Sequence, residues 1–345
     1  MKKFEFIVVG GGVSGLTAAA YLSQHRNTLI LEKQSDLGGL VGSFNVDGFT
    51  LDQGARGIID SGIVFPMMKQ LGLNLTFFEN PIKMMVENES VNLEVKTDIL
   101  EYGNFLKRLY PNRNREIDQV VLEIEKVMGY MDVLYGIENP LFLEKPYSME
   151  YLKNTLFPWM VKFIPNMHKA MKMMEPIDVF LNRLTKSPEI AHIIGQHFFA
   201  DTPTFFALSY FSLYLEYKYP KGSTQSLVDA LVEVLQKNQT EIHKNEEVIE
   251  INLAHNVIKT THDEYQFKQL LWAADLKQMY QKMSKSSLSR FNQRKLDKMR
   301  MKYENLKGTD FILTVYYLLD LPAAHFNDTF GPHSFYTLDR IGLSQ

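Results

Sequence analysis

The first residues in this chain able to do chemistry are glycines. Gly10, Gly12 and Gly15 keep the spacing G-x-G-x-x-G, with Gly11, Val13 and Ser14 between them, directly after the apolar run Phe4 to Val9. In such a turn Gly10 permits a sharp reversal, Gly12 leaves the backbone open to a pyrophosphate, and Gly15 lets the following helix approach the strand. The helix start then turns free N–H groups and partial positive charge toward the phosphates. Glu32 stands 17 residues after Gly15, at the end of the next apolar run, Thr28 to Leu31. A carboxylate there can accept both ribose hydroxyls and repels a 2′-phosphate. These residues predict a dinucleotide site. NAD and FAD share the pattern, so it does not choose between them.

Little else in the sequence has reactive spacing. There is no cysteine, which excludes disulfides, thiolate metal sites, a thiol nucleophile and a redox-active cysteine pair. The nine histidines form no H-E-x-x-H, and His192 and His197, five apart, do not share a helical face. No G-x-S-x-G elbow and no Walker loop occurs. No metal is expected, and no catalytic acid or base is assigned. That pattern suits an enzyme whose cofactor carries the reaction while the protein positions it.

The elements that must hold these residues can be read from periodicity. Phe4–Val9 is a strand, Leu16–His25 a helix with Ala18, Ala19 and Ala20 facing the sheet, and Thr28–Leu31 a second strand. Phe44 to Leu51 reads as a hairpin around Asp47-Gly48, and Ile82 to Val95 as another, turning at Glu87 to Ser90. From Asp98 to Tyr217 the signals are mostly helical, with Glu116–Tyr135 the longest helix. Ser223–Lys237 is a further helix. Strands return at Val248–Leu253, Val257–Thr261 and Phe267–Ala274, with a last one at Phe311–Leu319. Strand-rich ends bracket a helical middle, which predicts a domain built from non-adjacent segments with an insertion. The expected division is 1–80 with 218–280 for the dinucleotide domain, and 81–217 with 281–345 for a substrate domain.

Composition sets outer bounds. The chain has 345 residues, long enough for two packed domains. It is 45% hydrophobic and 22% charged, as folded soluble proteins are. A net charge of −3 gives no basic field for nucleic acid, and none is expected as a partner. Lys2 and Lys3 precede a run broken by Glu5, which is a strand pattern and not a secretion signal. No run reaches the roughly 18 apolar residues of a membrane span; Thr202 to Leu215 is shorter and contains Pro203. A cytoplasmic location is expected.

The next residues decide between the dinucleotides. The run Leu31-Glu32-Lys33, Leu37-Gly38-Gly39, Gly48-Phe49, Asp52-Gln53-Gly54 resembles the FAD-binding entry of the flavin amine-oxidase superfamily. Tyr219-Pro220-Lys221-Gly222-Ser223, the strand around Val248, and Trp272-Ala273-Ala274-Asp275 follow in the family's order. They are most similar to its phytoene desaturase, carotenoid isomerase and retinol saturase branch. The resemblance implies an α/β fold with a Rossmann-like FAD domain of the glutathione-reductase type, built from non-adjacent segments, and a mixed helical and β substrate domain inserted in it. It implies FAD as cofactor. It assigns Gly10, Gly11, Gly12, Val13, Ser14 and Gly15 to the pyrophosphate, Glu32 and Lys33 to the ribose region, and Val248 to the adenine. Gly38, Gly39, Leu40, Gly54, Ala55 and Arg56 fall to the flavin side. The family has an arginine after its Gly-Gly pair; here Leu40 and Val41 follow, and Arg56 is the candidate substitute. Nothing after Asp310 resembles the family's C-terminal Gly-rich stretch, so incomplete cover of the flavin is expected.

The resemblance also implies the reaction: hydride transfer between flavin N5 and an apolar, isoprenoid or polyene substrate. An amine oxidase and a non-catalytic flavin- or lipid-binding remnant remain the alternatives. Tyr151 to Met174 interleaves Lys153, Lys162, Lys169 and Lys172 with apolar residues, and Pro158 and Pro165 are expected to break it into short pieces. Two readings stay open: a patch that touches the inner face of a membrane, or a core helix with solvated lysines. Phe206, Tyr210 and Tyr214 recur every four residues, as core or as the wall of a tunnel for a hydrocarbon.

Overall fold

The computed structural model describes residues 1–145, 147–199, 201–286, 288–306 and 312–342. Contacts divide the chain into two compact units: Met1–Gly57, Met68–Phe78 and Tyr219–Val315 in the first; Ile58–Met67, Glu79–Lys218 and Tyr316–Gln345 in the second. Both are assembled from non-adjacent segments. The expected division assigned 281–345 to the substrate side; contact density keeps the stretch to Val315 with the first unit.

The first unit starts with strand β1 (Lys2–Val9), helix α1 (Val13–Leu22) and strand β2 (Thr28–Leu31). Ile7, Val8, Leu29 and Ile30 are fully buried, the pattern of parallel strands covered on both faces. Gly15, Leu16, Ala19 and Ala20 form the buried stripe of α1, and these small residues let the helix lie close to the sheet. A hairpin follows, Ser43–Val46 with Phe49–Asp52, closed by Asp47 and Gly48, both with positive φ, as the Asp-Gly dipeptide requires.

The second unit contains α2 (Asn114–Leu134), α3 (Phe157–Ala170) and α4 (Thr204–Leu213). On α2 the buried residues Ile117, Val120, Val121, Ile124, Val127, Met128 and Met131 keep helical spacing. Their core includes Tyr102, Phe105, Leu208 and Phe211. The expected hairpin forms as Ile82–Val86 with Glu89–Leu93. His333–Thr337 adds to it in parallel, with Phe335 beside Met84. The strand expected at Phe311–Leu319 does not form: 312–319 is irregular, and Phe311 lies outside the described residues. The apolar run is genuine, but Leu313, Tyr317 and Leu319 are exposed, and no neighbouring strand completes their hydrogen bonds among the described residues.

Back in the first unit come α5 (Gln225–Lys237), β3 (Glu241–His243), β4 (Val248–Asn252), β5 (Val257–Thr260), β6 (Glu264–Trp272), α6 (Leu276–Lys282) and α7 (Arg290–Glu304). One six-stranded sheet results, in the order β3-β2-β1-β6-β5-β4. The first four strands pair in parallel, and the β6–β5 and β5–β4 pairings are antiparallel. This is the α/β, Rossmann-like architecture anticipated above. The C-terminal ends of β1 and β2, where such sheets bind ligands, carry Gly10 and Glu32.

The prolines in 151–174 do not fragment the helix. A π-helical turn, Leu152–Leu156, leads into α3, which runs through Pro165. Pro158, which has no N–H to give, directly follows that turn, in which the Phe157 N–H donates to the Leu152 carbonyl. Of the aromatic stripe along α4 and just past its end, Tyr214 is buried in the core, Tyr210 packs against it and Phe206 is half exposed. The stripe is mostly core.

Candidate functional site

Between β1 and α1 the chain turns through Gly10, whose φ is +108°. A Cβ there would lie 2.6 Å from the Ala273 carbonyl oxygen. At Gly15 a Cβ would collide with the Gly10 carbonyl. Both positions therefore need glycine for the protein's own packing. Gly12 differs. Its φ of −73° suits any residue, and a Cβ there would meet no protein atom within 4 Å. Nothing among the described residues requires glycine at position 12, and the empty space is what a pyrophosphate would fill. No side chain caps α1, so its first-turn N–H groups, at Val13 and Ser14, remain available to an anion.

The Glu32 carboxylate is pinned before any ligand arrives. One oxygen accepts the Gly11 N–H at 2.6 Å, the other the Gln34 N–H at 2.8 Å. Each oxygen keeps a lone pair for a hydroxyl. Beyond Glu32 opens a cavity of about 150 Å³. Val9, Leu31, Glu32 and Lys33 line it together with Glu246, Glu247 and Val248. Trp272, Gln278 and Lys282 complete the wall.

The wall residue Glu246 is buried and satisfied: Thr260 Oγ1 donates to it at 2.6 Å and the Tyr265 hydroxyl at 2.8 Å, while His243 Nδ1 lies 3.0 Å from its other oxygen. Burial, and then that carboxylate, push the Tyr265 phenol well above its usual range. The Glu246 N–H also donates to the Glu32 carbonyl at 2.9 Å, which sets the two carboxylate-bearing residues side by side on the lining.

The other predicted residues gather beside the glycine turn. Gly38, at φ +111°, donates its N–H to the Gly11 carbonyl at 2.8 Å, and Gly39 lies against Gly12. A Cβ on Gly38 would press on Val228 of α5 at 2.8 Å. Leu40 is exposed, but its carbonyl accepts the Ala55 N–H at 2.8 Å, and Gly54 packs on that same carbonyl. Arg56 is exposed at the end of this segment. Asp52 binds the segment to the Tyr-Pro-x-Gly box: one oxygen accepts from Ser43 Oγ and from the N–H and hydroxyl of Thr224, the other from the Tyr219 hydroxyl at 2.7 Å. In the sequence Asp52 stands only as part of the Asp52-Gln53-Gly54 box; its side-chain role as a clamp is visible only in three dimensions. Lys282, Gln278 and Glu246 were missed altogether, since they belong to no motif.

The arrangement can hold an adenosine in the cavity, its ribose on Glu32 and a pyrophosphate over Gly12. The residues present fit an adenine dinucleotide. Among the described residues no group of three or more metal-binding side chains occurs, and no helix is long and apolar enough to cross a membrane.

Residues 13–306 match the profile of the family described as flavin containing amine oxidoreductase. The chain belongs to that family. Its cofactor is FAD, as the Gly38-Gly39 and Asp52–Gly54 boxes implied. Among curated proteins the chain is 26% identical over 152 residues to a 4,4′-diapophytoene desaturase of Staphylococcus aureus, covering 41% of this chain and 28% of that protein. It is 28% identical over 154 residues to the chloroplastic prolycopene isomerase of Daucus carota, covering 41% and 25%. The matches thus span about a quarter of each relative's length. An oxidoreductase structure from Methanosarcina mazei superimposes with a TM-score of 0.58 at 16% identity, over 87% of this chain and 65% of that one. That likeness shows the fold.

Proposed function

We propose that this family member is an FAD-dependent oxidoreductase of the desaturase, saturase and isomerase kind, acting on an apolar polyene or isoprenoid. The observation that carries it is the space at Gly12, kept open where the protein itself has no use for a glycine. Bound FAD supplies the hydride chemistry. This chain's residues do the holding. Gly10, Gly11, Gly12, Val13, Ser14 and Gly15 form the pyrophosphate turn, Glu32 and Lys33 the ribose region, and Val248 the adenine edge. Gly38, Gly39, Leu40, Gly54, Ala55 and Arg56 lie on the flavin side. The relatives named for diapophytoene and prolycopene support the substrate class.

The second partner in this reading is an anionic membrane surface. On α3, Phe157, Met160, Val161 and Ile164 lie on one face at i, i+3, i+4 and i+7, and all are exposed. The opposite face holds Trp159 and Phe163, stacked 4.4 Å apart, with Trp159 Nε1 donating to the Val133 carbonyl. The apolar stripe thus points outward, which favours an interfacial helix over a core helix. Lys153, Lys162, Lys169 and Lys172 are exposed around it, and 151–174 contains no acidic residue. Anionic lipid lines the cytoplasmic leaflet, so we place the protein in the cytoplasm, against that inner face.

Purified protein, heated and spun, tests the cofactor assignment. FAD in the supernatant, or a melting temperature raised by added FAD, is the expected result. Stabilisation by NAD with no response to FAD overturns it.

A further inference from the structure

Strand β4 is the outer edge of the six-stranded sheet. Glu247, just before it, turns both backbone groups inward: the Thr261 N–H donates to its carbonyl at 2.9 Å, and its own N–H donates to Thr261 Oγ1 at 3.2 Å. Val248, next in the chain, turns its own toward the free edge, and an irregularity in pairing between Val248 and Glu250 lets Ile251 do the same. An edge of this kind needs partners. At Ile251 the carbonyl accepts the Ser284 N–H at 2.8 Å. At Val248 the partner is a side chain. Lys282 Nζ donates to the Val248 carbonyl at 2.6 Å and to Glu247 Oε1 at 2.6 Å. The Lys282 side chain is 15% exposed and lines the cavity that holds Glu32.

This lysine is held in place from behind. Arg300 of α7 donates to the carbonyls of Tyr280, Gln281 and Met283 at 2.8, 3.1 and 2.6 Å, which fixes the end of α6 on both sides of Lys282. Glu247 responds to the pair: the hydrogen bond from Lys282 holds its carboxyl below the usual carboxylate range.

The FAD reading puts the adenine against Val248, where a carbonyl would accept from the exocyclic amino group. An ammonium is a donor without acceptor capacity, and so is that amino group toward this carbonyl. We propose that Lys282 is a latch across the adenine end of the cleft, competing with the 6-amino group for the Val248 carbonyl and so setting affinity and base preference. The inference rests on the FAD reading. When the nucleotide binds, the ammonium gives up the carbonyl and stays with Glu247.

ADP and IDP, which differ at the purine 6-position, are the probes, with affinities read by calorimetry on the full chain. Lys282→Met keeps the aliphatic stem and removes the cation. It should bind ADP about tenfold tighter, with no gain for IDP, whose 6-oxo group is an acceptor. Lys282→Arg keeps the cation and should bind ADP as weakly as the unaltered protein. Unchanged or weaker ADP binding by Lys282→Met overturns the latch, as does an equal gain for both nucleotides. If neither the unaltered chain nor Lys282→Met binds ADP or FAD, the FAD reading itself fails, and the latch with it.

Discussion

Glycines 10, 12 and 15 share a motif but not a cause. Gly15 is demanded by the backbone of Gly10, and Gly10 by that of Ala273, whereas Gly12 is free of both demands. Substitution should separate them. Gly15→Ala forces the helix off the strand and should cost about 1–3 kcal/mol, read from urea midpoints. Gly12→Ala should leave the midpoint unchanged yet weaken FAD binding tenfold or more, since its methyl fills ligand space. A Gly12→Ala protein that keeps full FAD affinity would show that the space is not the pyrophosphate's. Glu32→Ala should weaken FAD binding by about ten- to a hundredfold, the loss of charge-assisted hydrogen bonds worth roughly 1.5–3 kcal/mol. A flat comparison of the two titrations would remove the ribose from Glu32.

At the scale of elements, segments far apart in sequence are joined by buried polar groups, and some of these titrate. In the second unit the His197 ring packs edge-on to Phe335, with centroids 4.8 Å apart. Its Nδ1 is enclosed and finds no hydrogen-bond partner among the described residues. Burial pushes the imidazole down to about 4 from its ordinary 6.5. Between those values the unfolded chain takes up a proton that the folded chain refuses, so stability falls as pH drops from about 6.5 to 4. The loss should reach no more than about 3 kcal/mol. His197→Phe should flatten this part of the profile, measured as urea midpoints at pH 7 and pH 5. An unchanged slope would assign it to other groups. In the first unit, strand and helix types were legible from period and from Asp-Gly turns. The absence of a strand at 312–319 was not, because a strand exists only if a neighbour accepts its hydrogen bonds.

For the whole molecule, the exposed apolar face of α3 makes a claim about where the protein sits. Each lysine near an anionic leaflet is worth about 1 kcal/mol. Reversing two, Lys162→Glu with Lys169→Glu, should therefore reduce co-sedimentation with phosphatidylserine vesicles at least about tenfold, and high salt should do the same to the unaltered chain. Equal sedimentation of both proteins would leave α3 as an ordinary surface helix. Alternating Lys and apolar residues fit both a core helix and an interfacial one. The exposure of Phe157 and Ile164 sets the core reading aside, and the sedimentation decides whether that face meets a membrane.

What the order of residues determined by itself was local and periodic. The strand–turn–helix at Gly10–Gly15, the acid at Glu32, the Asp47-Gly48 hairpin and the α2 stripe each depend on neighbours within a few turns of chain. The FAD family was legible in the Gly38-Gly39, Asp52–Gly54 and Tyr219–Ser223 boxes, which follow the family's order. The tertiary structure decided what depends on distant partners. It set Asp52 as a clamp on Tyr219 and Thr224, Glu246 as the wall behind Glu32, and Lys282 across Val248. These contacts join residues 34 to 214 positions apart, and no spacing rule links them. Those of Glu246 and Lys282 exist because the sheet brings the end of β2, the start of β4 and the end of α6 to one cavity, where each buried polar group must find a partner.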